Sequence, residues 1–351
     1  MSARILLAAQ LQALDHIHWT VVSGDPPTHT IAGVEYVCIV MRREPALSDI
    51  RSFFALWKWM RSQPFAFVQT HTPKASMLTL PGARLAGHRT LYTMHGSLYF
   101  RGNGRKANIA GWVFERWCCS WAHVVAMQSV EDTEVLPKAR VCPQHKVRYQ
   151  GNGIDMDRFA LMERAAQPEH HVPVVLNISR LVVEKGCLDF FELATRLAGR
   201  ARFIHVGPRE TDQSDAIDPH IIERLAADGI VEFVGDVSDV HPYLAQADLF
   251  VLPSYREGIP RACMEAAASG LAVVAYDVRG VREVVPAGHQ LLAPRGDVAT
   301  FVRLVQALLD DPAMRAVAAA ACTRHVRATF DEQLVYERLR GIYGELTGGS
   351  V

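Results

Sequence analysis

Two glutamates with seven residues between them, Glu257 and Glu265, stand in the run Pro253-Ser254-Tyr255-Arg256-Glu257-Gly258-Ile259-Pro260-Arg261-Ala262-Cys263-Met264-Glu265-Ala266. Ahead of it, Asp248 to Leu252 is a short apolar stretch that suits a buried strand. Behind it, Pro260 leads into a helix expected over Arg261 to Ala268. At a helix start, unpaired backbone N–H groups and the positive end of the dipole form a site for phosphate or another anion. Glu257 is expected on the loop beside that anion. Glu265, two turns along, falls on about the same side. Carboxylates flanking an anion site suit a ligand that carries both phosphates and hydroxyls, such as a sugar nucleotide. Either glutamate alone reads equally well as a solvated charge near a helix end.

Upstream, the apolar strand Val174 to Ile178 runs into Ser179-Arg180-Leu181-Val182-Val183-Glu184-Lys185-Gly186 and then a helix expected over Cys187 to Leu197. Arg180 and Lys185 stand at the carboxyl end of that strand, where open α/β sheets bind ligands. One is a planar fork and the other a point charge, the two cation types that suit a diphosphate. Lys185 on its own would pass for an exposed loop lysine.

Together these segments resemble family 4 of the retaining glycosyltransferases. Its S-R-L-x-x-x-K-G box is similar to Ser179–Gly186, and its E-x7-E box to Glu257–Glu265. Thr93-Met94-His95-Gly96 resembles the segment with the family's active-site histidine, and Gly151 to Phe159 the loop closing its N-terminal domain. His71-Thr72-Pro73-Lys74-Ala75 resembles a stretch common in the bacterial polysaccharide and lipid-linked glycan branch. The likeness covers residues 65–346.

The resemblance implies the GT-B architecture: an α/β chain of two facing Rossmann-like domains with parallel sheets, and a last helix crossing back to the N-terminal domain. It also implies transfer of a sugar, an N-acetylhexosamine by analogy, from a uridine-diphosphate donor to a polyprenyl-diphosphate-linked glycan or other polysaccharide, with retention of configuration. In that scheme Arg180 and Lys185 hold the diphosphate, assisted by Gly258, Ile259 and the helix start at Arg261 and Ala262. Glu265 takes the ribose, Glu257 the hydroxyls of the donor sugar, and His95 the sugar near its reacting carbon. No cofactor and no metal are expected, since no Asp-x-Asp stands at a strand end.

Those side chains need strands and helices in alternation, and the sequence supplies them. Strands are expected near residues 4–8, 19–23, 36–40, 65–69, 90–94, 124–127 and 147–149, then near 174–178, 202–206, 231–234, 249–252, 272–275 and 290–292. At 351 residues the chain exceeds the size of one core. The expected division is 1–160 for an acceptor-binding domain, 161–330 for the nucleotide-sugar domain and 331–351 for the returning helix, with Pro168, His170 and His171 breaking the pattern at the boundary.

The zero net charge conceals an asymmetry: residues 1–160 hold 18 Lys and Arg against 11 Asp and Glu. Basic residues gather at Arg101, Arg105 and Lys106, and aromatics mix with cations in Phe53 to Arg61 and Trp112 to Trp121. The basic loop suits the acceptor or an anionic membrane, and the aromatics suit either that membrane or the core faces of helices. No nucleic-acid motif accompanies the cations. Seven cysteines in no metal-ligand spacing indicate reduced thiols and a cytoplasmic protein, with Cys118 and Cys119 as packing residues. No apolar run reaches the ~18 residues of a membrane span, so association with the inner membrane face would be peripheral.

One departure concerns the start of the chain. Family members carry a glycine-rich loop and a full helix after their first strand, whereas here residues 6–15 pass almost directly to Trp19. That shortening leaves the acceptor side to another segment, Arg101 to Lys106, or marks a weakened or non-catalytic sugar-nucleotide-binding subunit. A GT-B epimerase would also hold a diphosphate but not need this pair of boxes. A dehydrogenase would need G-x-G-x-x-G after the first strand, where Ala8-Ala9-Gln10 stands.

Overall fold

The computed structural model describes residues 2–27, 29–41, 46–99, 104–159, 172–210, 215–288 and 291–349. The chain divides into two compact units, residues 1–152 with 333–351 and residues 153–332. Residues 160–171, where the boundary was expected, lie outside the described residues, as do Arg101 and Gln290.

The first unit runs α1 (Ser2–Ala13), β1 (Thr20–Ser23), β2 (Glu35–Cys38), α2 (Ser48–Arg61), β3 (Phe67–Thr70), α3 (Pro73–Leu85), β4 (Arg89–Met94), α4 (Arg105–Trp121), β5 (Val124–Met127), α5 (Val130–Lys138) and β6 (Val147–Tyr149). Strands β3-β4-β5-β6 form a four-stranded sheet, and β1-β2 a separate pair, with every pairing parallel. Parallel sheets covered by helices carry apolar strands, and β5, Val-Val-Ala-Met, is buried throughout.

The strand expected at residues 4–8 is instead part of helix α1, a correction with a plain cause. Leu, Ala and Gln are strong helix formers, and Leu7, Gln10, Leu11 and Leu14 recur at i, i+3, i+4 and i+7, one face of a helix. Gln10, Leu11 and Leu14 on that face are buried. A short apolar run suits a strand as well as a helix, and here its period is helical.

The second unit runs β7 (Val174–Ile178), α6 (Cys187–Arg196), β8 (Arg202–Val206), α7 (Pro219–Ala227), β9 (Glu232–Gly235), α8 (His241–Gln246), β10 (Leu249–Leu252), α9 (Arg261–Ala268), β11 (Ala272–Tyr276), α10 (Val281–Val284), β12 (Leu292–Ala293), α11 (Val298–Asp310) and α12 (Pro312–Thr329). Its six parallel strands lie in the order β12-β11-β10-β7-β8-β9. The chain therefore starts in the middle and winds outward both ways, placing the ends of β7 and β10 side by side. That reversal of strand order is where open α/β sheets bind ligands. Ile154 and Phe330 to Glu332 close the unit: Ile154 donates its N–H to the Phe330 carbonyl (2.9 Å) and accepts from Glu332 (3.1 Å).

The last helix, α13 (Glu332–Thr347), packs with the first unit. Val335, Leu339, Ile342, Tyr343 and Leu346 share a core with Leu14, Leu91, Val124 and Ala126. Beneath them a polar chain crosses four elements. Tyr343 Oη donates to Gln69 Oε1 (2.8 Å) and accepts from the Gln10 amide, while Gln69 Nε2 donates to Thr93 Oγ1 (2.9 Å). Cys118 and Cys119 are buried with Leu80, Tyr92 and Met127, as packing residues.

Two histidines set an acid limit. Burial in the second unit's sheet holds His205 down to about 4, and packing around His71 holds it down to about 3, with the neighbouring His95 adding to the effect. Both would titrate near 6.5 in the unfolded chain. Below that pH the unfolded state binds protons that the folded state refuses, so stability is complete above 6.5 and declines as pH falls toward 4. The expected result is a melting temperature that drops steadily from pH 7 to pH 4.5; a flat profile would contradict it.

Candidate active site

Two backbone loops of the second unit, one after β7 and one after β10, are laced together. Gly186 has φ +70°, and a Cβ there would lie 1.8 Å from the Pro253 carbonyl oxygen, so only glycine permits the approach. Tyr255 donates its backbone N–H to the Glu184 carbonyl (2.9 Å), and Arg256 Nη1 pairs with Glu184 Oε1 at 3.3 Å. Lys185 Nζ then meets Glu257 Oε1 at 2.7 Å, with both side chains largely out of water. The two sequence boxes are thus one constellation.

Asp189, on the first turn of α6, holds the second loop from beneath. Its Oδ2 accepts from Tyr255 Oη (2.7 Å) and Tyr276 Oη (2.6 Å). A third close approach secures the far side: Gly280, at φ +78°, would place a Cβ 1.2 Å from the Gly258 carbonyl oxygen. Sequence reading missed Asp189, Tyr255 and Gly280. Tyr255 lies within the run from Pro253 to Ala266, but nothing in sequence spacing shows that its hydroxyl reaches a carboxylate on α6.

Helix α9 begins at Arg261, and its N-cap residue, Pro260, offers no side-chain hydrogen bond. Its first N–H groups, including those of Arg261 and Ala262, have no partner within the helix. Gly258 is half-buried and Ile259 buried, so the approach to this helix start is closely packed. Glu265 is buried, and burial raises its pKa against the pull of Arg261, whose Nε donates to Oε1 at 2.6 Å. Arg158 and His241 add weaker attraction for the same carboxylate. The Arg261 side chain therefore serves Glu265. Arg180 is more open, with its guanidinium 3.9 Å from Glu210.

In the first unit, His95 follows β4 directly, and its Nε2 lies 3.2 Å from His71 Nδ1. Burial lowers its pKa, partly offset by a hydrogen bond with Gln128. Glu115, fully buried on α4, secures the loop after His95 by accepting from Tyr92 Oη (2.9 Å) and the Leu98 N–H (3.0 Å). At Gly111 on that helix, a Cβ would meet the Leu98 carbonyl oxygen at 2.7 Å. Arg105 and Lys106 are exposed in the first turn of α4, which holds no acidic residue. Arg101 lies outside the described residues.

The aromatic segments divide. Trp112, Phe114 and Trp121 pack against the core, whereas Phe54 is 56% exposed and Trp117 47%. Ile109 and Val113 continue the Trp117 stripe on α4, and Ile50 joins Phe54 on α2. Among the described residues no helix is long and apolar enough to cross a membrane.

Comparison with known proteins shows the family and the fold. Residues 5–158 match the family model "Glycosyltransferase Family 4", and residues 172–311 match "Glycosyl transferases group 1". The chain is 26% identical over 310 residues to the N,N'-diacetylbacillosaminyl-diphospho-undecaprenol alpha-1,3-N-acetylgalactosaminyltransferase of Campylobacter jejuni, covering 84% of this chain and 81% of that one. It is 24% identical over 330 residues to an Escherichia coli UDP-Gal:alpha-D-GlcNAc-diphosphoundecaprenol alpha-1,3-galactosyltransferase, covering 88% and 82%. The fold is similar to that of Anabaena HepE in complex with UDP-glucose, with TM-score 0.80, 16% identity and coverage of 98% and 96%. It is also similar to sucrose-phosphate synthase from Thermosynechococcus elongatus, with TM-score 0.79, 21% identity and coverage of 99% and 93%. The chain is a glycosyltransferase of family 4, with the two-domain, parallel-sheet α/β fold called GT-B.

Proposed function

We propose that this glycosyltransferase moves an N-acetylhexosamine from a UDP-linked donor to a polyprenyl-diphosphate-linked glycan, with retention of configuration and without a metal. The observation that carries this is Lys185 and Glu257 in contact at 2.7 Å within the loops that lead to the uncapped start of α9. A diphosphate carries more charge than one carboxylate and competes for Lys185. Its arrival frees Glu257 to accept from the hydroxyls of the donor sugar. Charge that builds on the departing diphosphate is met by Lys185, Arg180 and the N–H groups at Arg261 and Ala262, fixed in place before reaction. Glu265 accepts from the ribose, and His95 contacts the sugar near its reacting carbon. The leaving phosphate takes the proton of the acceptor, which attacks from the same face.

The acceptor class follows from the two transferases named above, both of which act on undecaprenol-diphosphate-linked sugars. Arg105 and Lys106 support it: cations in the first turn of a helix oppose its dipole, a cost that a bound phosphate removes. The exposed stripes on α2 and α4, flanked by Arg51, Lys58 and Arg116, suit an anionic membrane surface at the cytoplasmic face. Flotation with vesicles containing anionic lipid should recover wild type, and Trp117→Ser with Val113→Ser should recover several-fold less. Equal recovery would remove the membrane role from these stripes.

The donor site is tested by a thermal-shift panel of nucleoside diphosphates with and without EDTA, followed by mass spectrometry of donor turnover. UDP should raise the melting temperature equally in both conditions, and Arg180→Ala should abolish the rise. No response to any nucleotide would overturn the assignment, and a rise lost on chelation would overturn its metal independence.

A further inference from the structure

His71 has no assigned part in the reaction, yet it touches the histidine that has one. It directly follows β3 and His95 directly follows β4, so both stand at the carboxyl ends of adjacent parallel strands. Two residues earlier on each strand, Gln69 Nε2 donates to Thr93 Oγ1 at 2.9 Å. Residues i and i+2 of a strand point to the same face. The Gln69–Thr93 bond therefore fixes the spacing on which the His71–His95 contact is built. Gln69 is itself held by Tyr343 of α13 and by Gln10 of α1, so the support reaches through the unit.

A neutral imidazole has one N–H, which either ring nitrogen can carry. Where two ring nitrogens face each other at 3.2 Å, one must donate and the other accept. The proton on His71, together with the hydrogen bond between His95 and Gln128, therefore decides the proton on His95. The ring centroids are 5.4 Å apart with planes inclined at 31°, so the contact runs through the nitrogens and not through stacked faces. Both residues are only partly buried.

We propose that His71 is a positioning residue that fixes the tautomer and ring orientation of His95 through its Nδ1. This rests on the donor-sugar contact given to His95 above. The atom named makes a sharp test. Asparagine places an amide atom close to where Nδ1 stands, whereas glutamine reaches toward the position of Nε2. With a UDP-N-acetylhexosamine donor and UDP release as the readout, His71→Ala should lower kcat about 10- to 100-fold, the range expected when a reacting group is misplaced. KM should stay within about threefold, the pattern of an interaction made in the transition state. His71→Asn should recover most of the rate, and His71→Gln should not. His71→Ala combined with His95→Ala should be no slower than His95→Ala alone, because a residue acting only through another adds nothing once that one is gone.

A readout independent of turnover is the nitrogen-15 spectrum of the histidine rings. His95 should show one tautomer in wild type and in His71→Asn, and an averaged pair in His71→Ala. Wild-type kcat in His71→Ala, equal rates for the asparagine and glutamine variants, or an unchanged His95 spectrum would overturn the proposal while leaving the role of His95 intact. A His95→Ala enzyme with wild-type turnover would overturn that role as well.

Discussion

A Lys185→Ala enzyme is expected to lose UDP binding and stability together, and a second substitution separates the two losses. Lys185 and Glu257 are paired at 2.7 Å with side-chain exposures of only 17% and 11%. Removing the lysine strands a carboxylate that water reaches poorly, at a cost of about 3 kcal/mol, the lower end for a broken buried pair because some water remains. Lys185→Ala with Glu257→Gln removes the stranded charge. The double variant should regain most of the lost melting temperature and still fail to bind UDP, since no cation returns. Glu257→Gln alone keeps an oxygen for Lys185, so it should fold normally, hold UDP within a few-fold of wild type and lose turnover. Thermal melts with and without UDP, with turnover measured beside them, check all three. Full UDP affinity in Lys185→Ala would end the assignment of this lysine to the diphosphate.

Gly280→Ala should abolish donor binding although residue 280 carries no chemistry. Its left-handed φ alone costs a non-glycine residue about 1–2 kcal/mol. The larger effect is steric, because the new methyl would fall 1.2 Å from the Gly258 carbonyl oxygen and one backbone must retreat. The loop that retreats carries Glu257 and leads to the start of α9. The total loss should exceed about 4 kcal/mol, beyond the ordinary range for a point change. Gly229 is the matched control: its φ is +67°, yet nothing lies within 4 Å of its added Cβ. Gly229→Ala should lose about 1–2 kcal/mol and keep UDP binding. Denaturant melts of the two variants give the comparison, and similar losses in both would refute the crowding at Gly258.

The parts of this molecule legible in its sequence are those written in local pattern. Apolar runs at Val174 to Ile178 and Leu249 to Leu252 gave their strands because buried parallel strands are apolar along their length. Helix α9 was legible from Pro260 and the helix formers after it. At residues 4–8 the same reasoning failed, since a short apolar run does not by itself distinguish a strand from a helix and the burial of Gln10, Leu11 and Leu14 decides it. At the candidate site, Arg180, Lys185, Glu257 and Glu265 stand out in the sequence from type and spacing. Their partners were not. The pairing of Lys185 with Glu257 spans 72 positions, and Asp189 with Tyr276 spans 87. Such contacts are made by the order of strands in a sheet, which spacing along the chain does not record.

The crossings at Gly186 and Gly280 bear on how such an enzyme could be altered. At each, main chain passes main chain with no room for even one methyl group. Their course is therefore shared property of two segments, and neither can drift unless the other drifts with it. Anyone re-engineering the chain toward a different sugar should leave these knots, and the Arg180 proposed to hold the diphosphate, untouched. Lineages that diversify by single substitutions meet the same restriction, so novelty should collect around the grip and seldom within it.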